Sequence, residues 1–305
     1  MSALLVERST PLIQLQDSGR FGIRQLGVTQ GGATDWISMF WANWLLGNPL
    51  DAAVIEITLG SFSLIAQQDA CLALAGADLG ASLDGQPLQP WRSFLVRRGQ
   101  RLAFSQPVVG ARAYLAAPGG FDAAPTLGSK STVYREGLGG LHGSGLGLTM
   151  GDRLCWSSTS PAPRELEATR IPDLSPAKPL ETVLGAQIAD FAGQSLFDVF
   201  NSPWQLDSRA DRMGVRLLGP ALHYQGKALI SEGIPLGAIQ VPPDGQPIVL
   251  LNDRQTIGGY PRLGALTPHS LARLAQCVPG TRVRFSPVLQ ERAQDQHLRM
   301  FAQWK

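Results

Sequence analysis

Short apolar runs broken by glycine and proline are the feature of this sequence that most restricts its fold. The chain has 34 Gly and 22 Pro among 305 residues, and few stretches repeat apolar side chains at the spacing of a helix. Glycine and proline favour tight turns, and short apolar runs between turns favour strands. The sequence therefore predicts a mainly β protein with a few helices.

Three stretches depart from this pattern and predict helices. Residues 35–46 repeat apolar side chains at i, i+4 and i+8, and Thr34 before them is a plausible N-cap. A second helix is expected at Thr267-Pro268, with the threonine as its cap and the proline at its first position. A third is expected to follow Ser286-Pro287 in the same way.

Length and one proline-rich stretch predict two domains. Because a domain usually has about 100–200 residues, a chain of this length favours two. Residues 158–179 combine prolines with serine and threonine and have no lasting apolar period, which is typical of a linker. The predicted domains are therefore 1–157 and 180–305. Asp-Gly-Gln-Pro occurs at 84–87 and again at 244–247, which leaves open whether the halves arose by duplication or match by chance.

Charge and cysteine content restrict the partners and the compartment. The net charge is +2 and the basic residues are scattered, so the basic patch of a nucleic-acid binder is missing. Cys71, Cys155 and Cys277 are odd in number and far apart, which favours reduced thiols in a cytoplasmic protein. Glu7 and Arg8 interrupt the N-terminal region before a signal peptide develops, and no apolar run reaches the roughly 18 residues of a membrane span. We expect a cytoplasmic protein that binds neither nucleic acid nor membrane.

Familiar catalytic motifs do not match the sequence. "GSKST" at 128–132 differs from a phosphate-binding loop, since the upstream glycine of that motif would be Ala123. The glycine-rich stretch 137–147 has no G-x-G-x-x-G window, and Ser144 lacks the frame of a nucleophile elbow. The four histidines are isolated in sequence, so only the fold could assemble a metal site or a catalytic triad from them. We predict no metal.

Polar residues beside apolar runs are better candidates for function. Asp17 and Arg20 lie at the end of an N-terminal strand, where an Asx turn explains Asp17 as well as a ligand site does. Glu56 interrupts an apolar strand, and its spacing places it on the face opposite Ile55 and Ile57. Because charged residues are mostly exposed, a solvated strand face is the favoured interpretation of Glu56.

The stretch "GAIQVPPDGQPIVLLNDRQTIGGYPRLG", residues 237–264, is the richest in such residues. Gln240 and Gln246 flank a turn, where their amides could hold a planar amide or carboxylate, although turn formation alone also explains them. An apolar strand then gives way to a polar run and a turn that contains glycine and proline. The candidate site residues there are Asp253, Gln255, Thr256, Gly258, Gly259 and Tyr260. Glycine lets a backbone approach a ligand closely, so we interpret this run as the wall of a cleft.

Nearly the whole chain resembles the allophanate hydrolase subunit 2 family. The stretches that carry the resemblance are "QDSGRFGIRQLGV" (16–28), "GATD" (32–35), "ANWLLGNPLDAAVIEITLG" (42–60), "GGFDAAPTLGSKST" (119–132), "SPWQLDSRADRMGVRLLG" (202–219) and residues 237–264. Asp211 and Val215 depart from the family's Asn-Arg-Met-Gly-Tyr pattern. The resemblance implies two cyclophilin-like β-barrel domains.

The resemblance also implies a function that is shared with partners. Family members pair with a B subunit, and in the 5-oxoprolinases among them that pair acts with an A subunit and uses ATP to cleave 5-oxo-L-proline to L-glutamate. The resemblance implies this role for the chain. ATP would be a co-substrate whose site could lie on a partner, and no metal or biotin is expected on this chain. Two alternatives are the carboxyltransferase component of a biotin-dependent urea carboxylase and a regulatory partner of a B subunit that inhibits a histidine kinase.

Roles follow for the candidate residues if the substrate is a lactam. Asp253 would be a general base or proton relay, with Thr256 and Tyr260 as hydrogen-bonding partners. Arg20 or Arg212 would neutralise a carboxylate or phosphate. The amides expected to orient the lactam are those of Gln240, Gln246 and Gln255.

Overall fold

The computed structural model describes residues 2–159 and 161–304. The chain forms two compact units. The first unit comprises Met1–Phe21 and Gly31–Asp173, and the second unit comprises Gly22–Gln30 and Leu174–Lys305. A short segment near the N-terminus, Gly22–Gln30, therefore belongs to the same unit as the C-terminal half of the chain.

The proline-rich stretch at 158–179 is divided between the two units. Leu166 is buried, and its backbone N–H donates to the carbonyl of Trp91 at 2.9 Å. Glu165 pairs with Arg92 at 2.6 Å. The domain bounds 1–157 and 180–305, with a linker at 158–179, remain a prediction.

Two antiparallel sheets form the first unit. The six-stranded sheet has the order β11-β1-β4-β9-β6-β7, with β1 Ser2–Arg8, β4 Phe62–Ala66, β6 Ala81–Leu83, β7 Gln86–Pro87, β9 Arg101–Phe104 and β11 Arg153–Trp156. The five-stranded sheet has the order β2-β3-β10-β5-β8, with β2 Ile13–Gln16, β3 Val54–Thr58, β5 Ala70–Asp78, β8 Arg92–Val96 and β10 Val109–Ala116. Apolar side chains of both sheets share one core, in which the rings of Phe62 and Phe104 stack with centroids 6.1 Å apart.

Helix α1, Trp36–Leu46, packs against the five-stranded sheet through β5, β8 and β10. Its predicted start is wrong by one residue. Asp35 is the N-cap, because its carboxylate accepts a hydrogen bond at 3.1 Å from the backbone N–H of Ser38, which has no acceptor within the helix. Gly47 ends the helix in the left-handed conformation, with φ of 70°, that glycine adopts readily. Most of the helix is buried, as its broad apolar stripe predicts.

An eight-stranded sheet that nearly closes into a barrel forms the second unit. Its order is β20-β13-β14-β17-β16-β19-β12-β21, with β12 Leu180–Leu184, β13 Trp204–Leu206, β14 Gly214–Leu218, β16 Ala238–Gln240, β17 Ile248–Leu250, β19 Arg262–Leu266, β20 Arg282–Val283 and β21 Phe285–Val288. The strands at its two edges, β20 and β21, are separated in sequence by Arg284 alone, so the edges must meet. The buried rings of Trp204 and Phe285 lie 6.4 Å apart in its core. These features confirm the predicted fold class, mainly β with a few helices.

Three further helices lie in the second unit. Helix α3, Pro268–Ala275, begins as predicted with Thr267 as its cap. Helix α4, Gln290–Phe301, starts later than predicted, because Ser286-Pro287 belongs to β21, which pairs in parallel with β12. Helix α2, Gly193–Asn201, was not predicted. None of the helices in the described part of the chain is both long and apolar enough to cross a bilayer.

A separate two-stranded ribbon joins the loops beyond the barrel strands. It consists of β15, Glu232–Gly233, and β18, Ile257–Gly258. The ribbon fixes the backbone directly after the polar run that follows β17.

Candidate functional site

An ion pair lies at the start of the polar run after β17. Asp253 accepts two hydrogen bonds from Arg212, Nε to Oδ2 at 3.1 Å and Nη2 to Oδ1 at 3.2 Å. The backbone N–H of Asp253 also donates to the carbonyl of Arg212 at 2.9 Å. The side chains of Arg212 and Asp253 are only 14% and 6% exposed. A carboxylate held in a guanidinium fork by two hydrogen bonds has a defined orientation.

Arg254, the next residue, is a second buried arginine. It is 2% exposed and donates from Nε to the carbonyl of Ile234 at 3.1 Å and from Nη1 to the carbonyl of Leu251 at 3.3 Å. Burial, together with the positive charge of Arg24, lowers the pKa of Arg254 to about 9. The polar run thus contains a cation that is held by neutral carbonyl groups.

Arg24, in the segment Gly22–Gln30, reaches one of these carbonyl groups, that of Ile234, and two others. Its Nη2 donates to the carbonyl of Ile234 at 2.9 Å, that of Thr256 at 3.1 Å and that of Gln255 at 3.4 Å. Burial lowers the pKa of Arg24 as well. Sequence reasoning missed both Arg24 and Arg254, although each lies in a stretch that carries the family resemblance.

Two predicted amides meet at Gly258. A Cβ atom at this glycine would lie 3.2 Å from Nε2 of Gln240, 3.6 Å from Nε2 of Gln255 and 2.7 Å from the side chain of Ile234. Gln240 is 2% exposed and donates to the carbonyl of Tyr260 at 3.5 Å. The missing Cβ therefore makes room for two amide side chains that approach from different strands and loops.

A pocket of about 390 Å³ opens beside Tyr260 in the second unit. Its walls include His223, Lys227, Pro242 and Gly259. Tyr260 is 47% exposed, so its ring borders solvent. Of the predicted site residues, Gly259 and Tyr260 line this pocket, whereas Asp253 and Arg212 do not.

Gln246 and Arg20 have contacts typical of structural residues. The amide of Gln246 accepts the N–H of Gly219 at 2.9 Å and donates to the carbonyl of Gly219 at 3.1 Å, so both of its ends stabilise a turn. Arg20 belongs to the first unit, is 1% exposed, and donates to the carbonyls of Thr126 at 3.0 Å and Ser131 at 2.8 Å. The other predicted site residues all belong to the second unit.

The model of the family described as "Carboxyltransferase domain, subdomain A and B" matches residues 26–287. The chain belongs to this family. The C subunit of 5-oxoprolinase from Escherichia coli (strain K12) is 38% identical over 283 residues, which cover 92% of this chain and 90% of that protein. The protein of the same name from Haemophilus influenzae is 36% identical, with 92% and 89% covered. The resemblance inferred from the sequence is confirmed.

The solved structure of a longer protein contains a segment with the same fold. The crystal structure of Kluyveromyces lactis urea amidolyase superposes on this carboxyltransferase-family chain with a TM-score of 0.91 and 26% identity. The match covers 99% of this chain but only 20% of that one. The fold is therefore shared with a segment of a much larger protein.

In the first unit of this carboxyltransferase-family chain, the burial of Glu56 contradicts one prediction from the sequence. The expected solvated face is wrong, because Glu56 is 1% exposed and is in contact with Thr34, which lies just before α1. Its carboxylate accepts the backbone N–H of Thr34 at 2.8 Å and the hydroxyl of Tyr114 at 2.8 Å. Burial and then the charge of Glu56 raise the pKa of Tyr114 well above its ordinary value.

Asp17 organises the "GSKST" loop of the first unit. One carboxylate oxygen accepts the N–H of Gly19 at 2.8 Å and the hydroxyls of Ser129 at 2.6 Å and Ser131 at 2.5 Å. The other accepts the backbone N–H of Lys130 at 2.6 Å. This N–H, which a phosphate-binding loop would offer to its ligand, is therefore taken by Asp17. The loop is an anchored turn, consistent with the rejection of a phosphate-binding motif.

Proposed function

We propose that this chain is the C subunit of a cytoplasmic, ATP-dependent 5-oxoprolinase that converts 5-oxo-L-proline to L-glutamate with A and B subunits. The observation that carries the proposal is the 38% identity to the C subunit of the Escherichia coli enzyme along 92% of this chain. The identity to the solved urea amidolyase is lower, at 26%. The chain acts with its partners, of which the B subunit is the direct one.

The proposed reaction must overcome the resonance of an unstrained lactam. Transfer of the terminal phosphoryl group of ATP to the lactam oxygen releases ADP and makes the ring carbon electrophilic. Water then adds to this carbon, cleavage of the C–N bond gives an acyl phosphate, and a second water releases phosphate and L-glutamate. Asp253, oriented by Arg212 through two hydrogen bonds, is placed to accept a proton from the attacking water.

The amides that meet at Gly258 suit the lactam itself. An amide side chain can donate to the lactam oxygen and accept from the lactam N–H. Gln240 and Gln255 are the residues proposed for this contact, with Thr256 and Tyr260 as further hydrogen-bonding partners. The ATP site is proposed to lie on a partner subunit, since Asp17 occupies the loop of this chain that most resembles a phosphate-binding motif. The proposal includes no metal and no biotin on this chain.

Reconstitution of the three subunits tests the proposal. We expect ATP hydrolysis that depends on 5-oxoproline, with release of glutamate, and we expect Asp253→Asn to lower the rate about 100-fold or more, as loss of a general base does. Glu165→Gln, which removes one partner of an exposed ion pair in the first unit, is the control and should leave the rate unchanged.

The possible outcomes separate the two parts of the proposal. Absence of activity with all three subunits contradicts the assignment as an oxoprolinase. A near-normal rate for Asp253→Asn would contradict the catalytic role of Asp253 alone.

The description of the matching family favours a second candidate, transfer of a carboxyl group in a urea carboxylase. Such an activity would need a biotin carboxylase and a biotin carrier from partner proteins. Urea-dependent ATP hydrolysis in a mixture that contains those partners, with no response to 5-oxoproline, would favour this candidate. Binding of a B subunit without either activity would favour a regulatory role.

A further inference from the structure

We infer that Arg24 and Arg254 form a binding site for a small carboxylate within the second unit. The two guanidinium groups converge on one acceptor, the carbonyl oxygen of Ile234, at 2.9 Å from Nη2 of Arg24 and 3.1 Å from Nε of Arg254. The identity of the ligand rests on the proposed function, which supplies 5-oxoproline and glutamate as carboxylates. Neither the sequence nor the family comparison assigns a role to this pair.

The guanidinium groups of the pair have more N–H donors than the described residues supply with acceptors. A guanidinium group has five N–H donors and no acceptor. Nη1 of Arg24 is buried without a hydrogen-bond partner among the described residues. A buried N–H without an acceptor costs free energy, and a carboxylate oxygen would relieve that cost with a charge-assisted hydrogen bond.

The local charge also favours an anion. Within the described chain, neither Arg24 nor Arg254 forms an ion pair with a carboxylate, and their acceptors are neutral oxygens. Asp253 is the acidic group that acts on Arg254, and its carboxylate is already bound by Arg212. The described residues therefore supply no carboxylate that is bonded to Arg24 or Arg254, and buried charges are ordinarily paired or neutralised.

The neighbouring amides favour a carboxylate that is joined to an amide. Nη2 of Arg24 donates to the backbone carbonyl of Gln255, and the side-chain amide of Gln255 lies with that of Gln240 beside Gly258. Guanidinium groups beside a pair of amides match the two functional groups of 5-oxoproline, a carboxylate and a lactam. Inorganic phosphate would use the arginines but not the amides.

Calorimetric titration of the purified full-length chain, alone and with its B subunit, tests this site without requiring catalysis. The probes are 5-oxo-L-proline, its uncharged carboxamide, bicarbonate and inorganic phosphate. We expect 5-oxo-L-proline to bind, its carboxamide to bind at least about tenfold more weakly, and Arg24→Gln and Arg254→Gln each to weaken binding by at least about tenfold, because each removes a charged hydrogen-bond donor. Arg299→Gln, at an exposed ion pair on α4, is the matched control and should not change the affinity.

Three results would overturn the inference. They are unchanged affinity in both variants, equal affinity for the carboxamide, and binding of phosphate or bicarbonate without binding of 5-oxo-L-proline. If Arg24→Gln fails to fold, Arg24→Lys keeps the charge but loses the planar fork, and undiminished binding by that variant contradicts a role for the fork. Loss of binding in the variants together with an inactive three-subunit mixture would separate this site from the proposed reaction, because binding requires neither ATP nor the A subunit.

Discussion

Two carboxylates of the first unit and two arginines of the second unit are surrounded by different kinds of hydrogen-bonding groups. In the first unit the carboxylates of Asp17 and Glu56 accept hydrogen bonds from backbone N–H groups and hydroxyls. In the second unit Arg24 and Arg254 donate to carbonyl oxygens, and one nitrogen of Arg24 has no acceptor in the described chain. Each unit thus places ionised groups inside a β structure, but around Arg24 the described chain supplies fewer acceptors than the guanidinium group has donors.

This difference suggests different roles: a fully hydrogen-bonded carboxylate stabilises the fold, whereas a cation without an anionic partner can bind a ligand. A carboxylate whose oxygens accept several protein hydrogen bonds fixes the segments that supply the donors, and its removal leaves those donors unsatisfied. A cation that lacks an anionic partner adds less stability and keeps the capacity to bind one. The comparison therefore predicts that substitutions in the first unit reduce stability and that those in the second unit reduce binding.

Replacement of Glu56 should have the largest effect on stability. Glu56→Leu leaves the N–H of Thr34 and the hydroxyl of Tyr114 without their acceptor in a buried place, which should cost about 3 kcal/mol or more. Urea unfolding of the full chain measures this loss. Glu56→Gln keeps one acceptor oxygen and should lose less. If the free energy of unfolding of Glu56→Leu lies within about 0.5 kcal/mol of the native value, the distinction between the units is contradicted.

Substitution of Asp17 should rank next. Asp17→Ala removes the common acceptor of Gly19, Ser129, Lys130 and Ser131. Because Asp17 is only partly buried, water can replace some of these bonds, and we expect a loss of about 2 kcal/mol in the free energy of unfolding. The same urea titration applies, with Asp51→Asn, at an exposed position of the same unit, as a control without effect. An equal loss in both variants would show that the loop is not anchored by Asp17.

Local signals in the sequence predicted the parts of the fold that depend on neighbouring residues. The Thr267-Pro268 pair caps α3 because capping involves only the first turn of a helix. Ser286-Pro287 carries a similar signal, but pairing between β21 and β12 keeps these residues in a strand. Tertiary pairing therefore overrides a local preference when a strand completes a barrel.

The candidate site was predicted in part, because its residue types are visible but their contacts are not. Asp253 stands out as an acid after an apolar strand, yet its pairing with Arg212 joins positions far apart in sequence. Arg24 was missed because Gly22–Gln30 belongs to the second unit, which only the fold establishes. Glu56 was assigned to solvent because its partners, Thr34 and Tyr114, lie far from it in sequence.

Replacement of Arg254 should have the smallest effect on stability and so gives the sharpest test of the comparison. In Arg254→Met the carbonyl of Ile234 keeps its hydrogen bond from Arg24 at 2.9 Å. The carbonyl of Leu251 keeps its hydrogen bond from the backbone N–H of residue 254 at 3.2 Å. Neither backbone carbonyl loses its last donor, only a long bond to the side chain of Gln30 is lost, and a buried cation is removed, so the free energy of unfolding should fall by no more than about 1 kcal/mol. Urea unfolding and titration with 5-oxo-L-proline, made on the same preparation, measure both properties.

The pH dependence of this variant has a defined sign. Since the pKa of Arg254 is lowered from 12.5 to about 9 in the folded protein, the unfolded chain holds the proton more tightly between these values. Stability of the native protein should therefore rise relative to Arg254→Met as the pH increases from about 8 to about 10.

A loss of about 2 kcal/mol or more in the free energy of unfolding of Arg254→Met at neutral pH, with binding retained, would make Arg254 a structural residue like Glu56. That result would end the contrast between the two units.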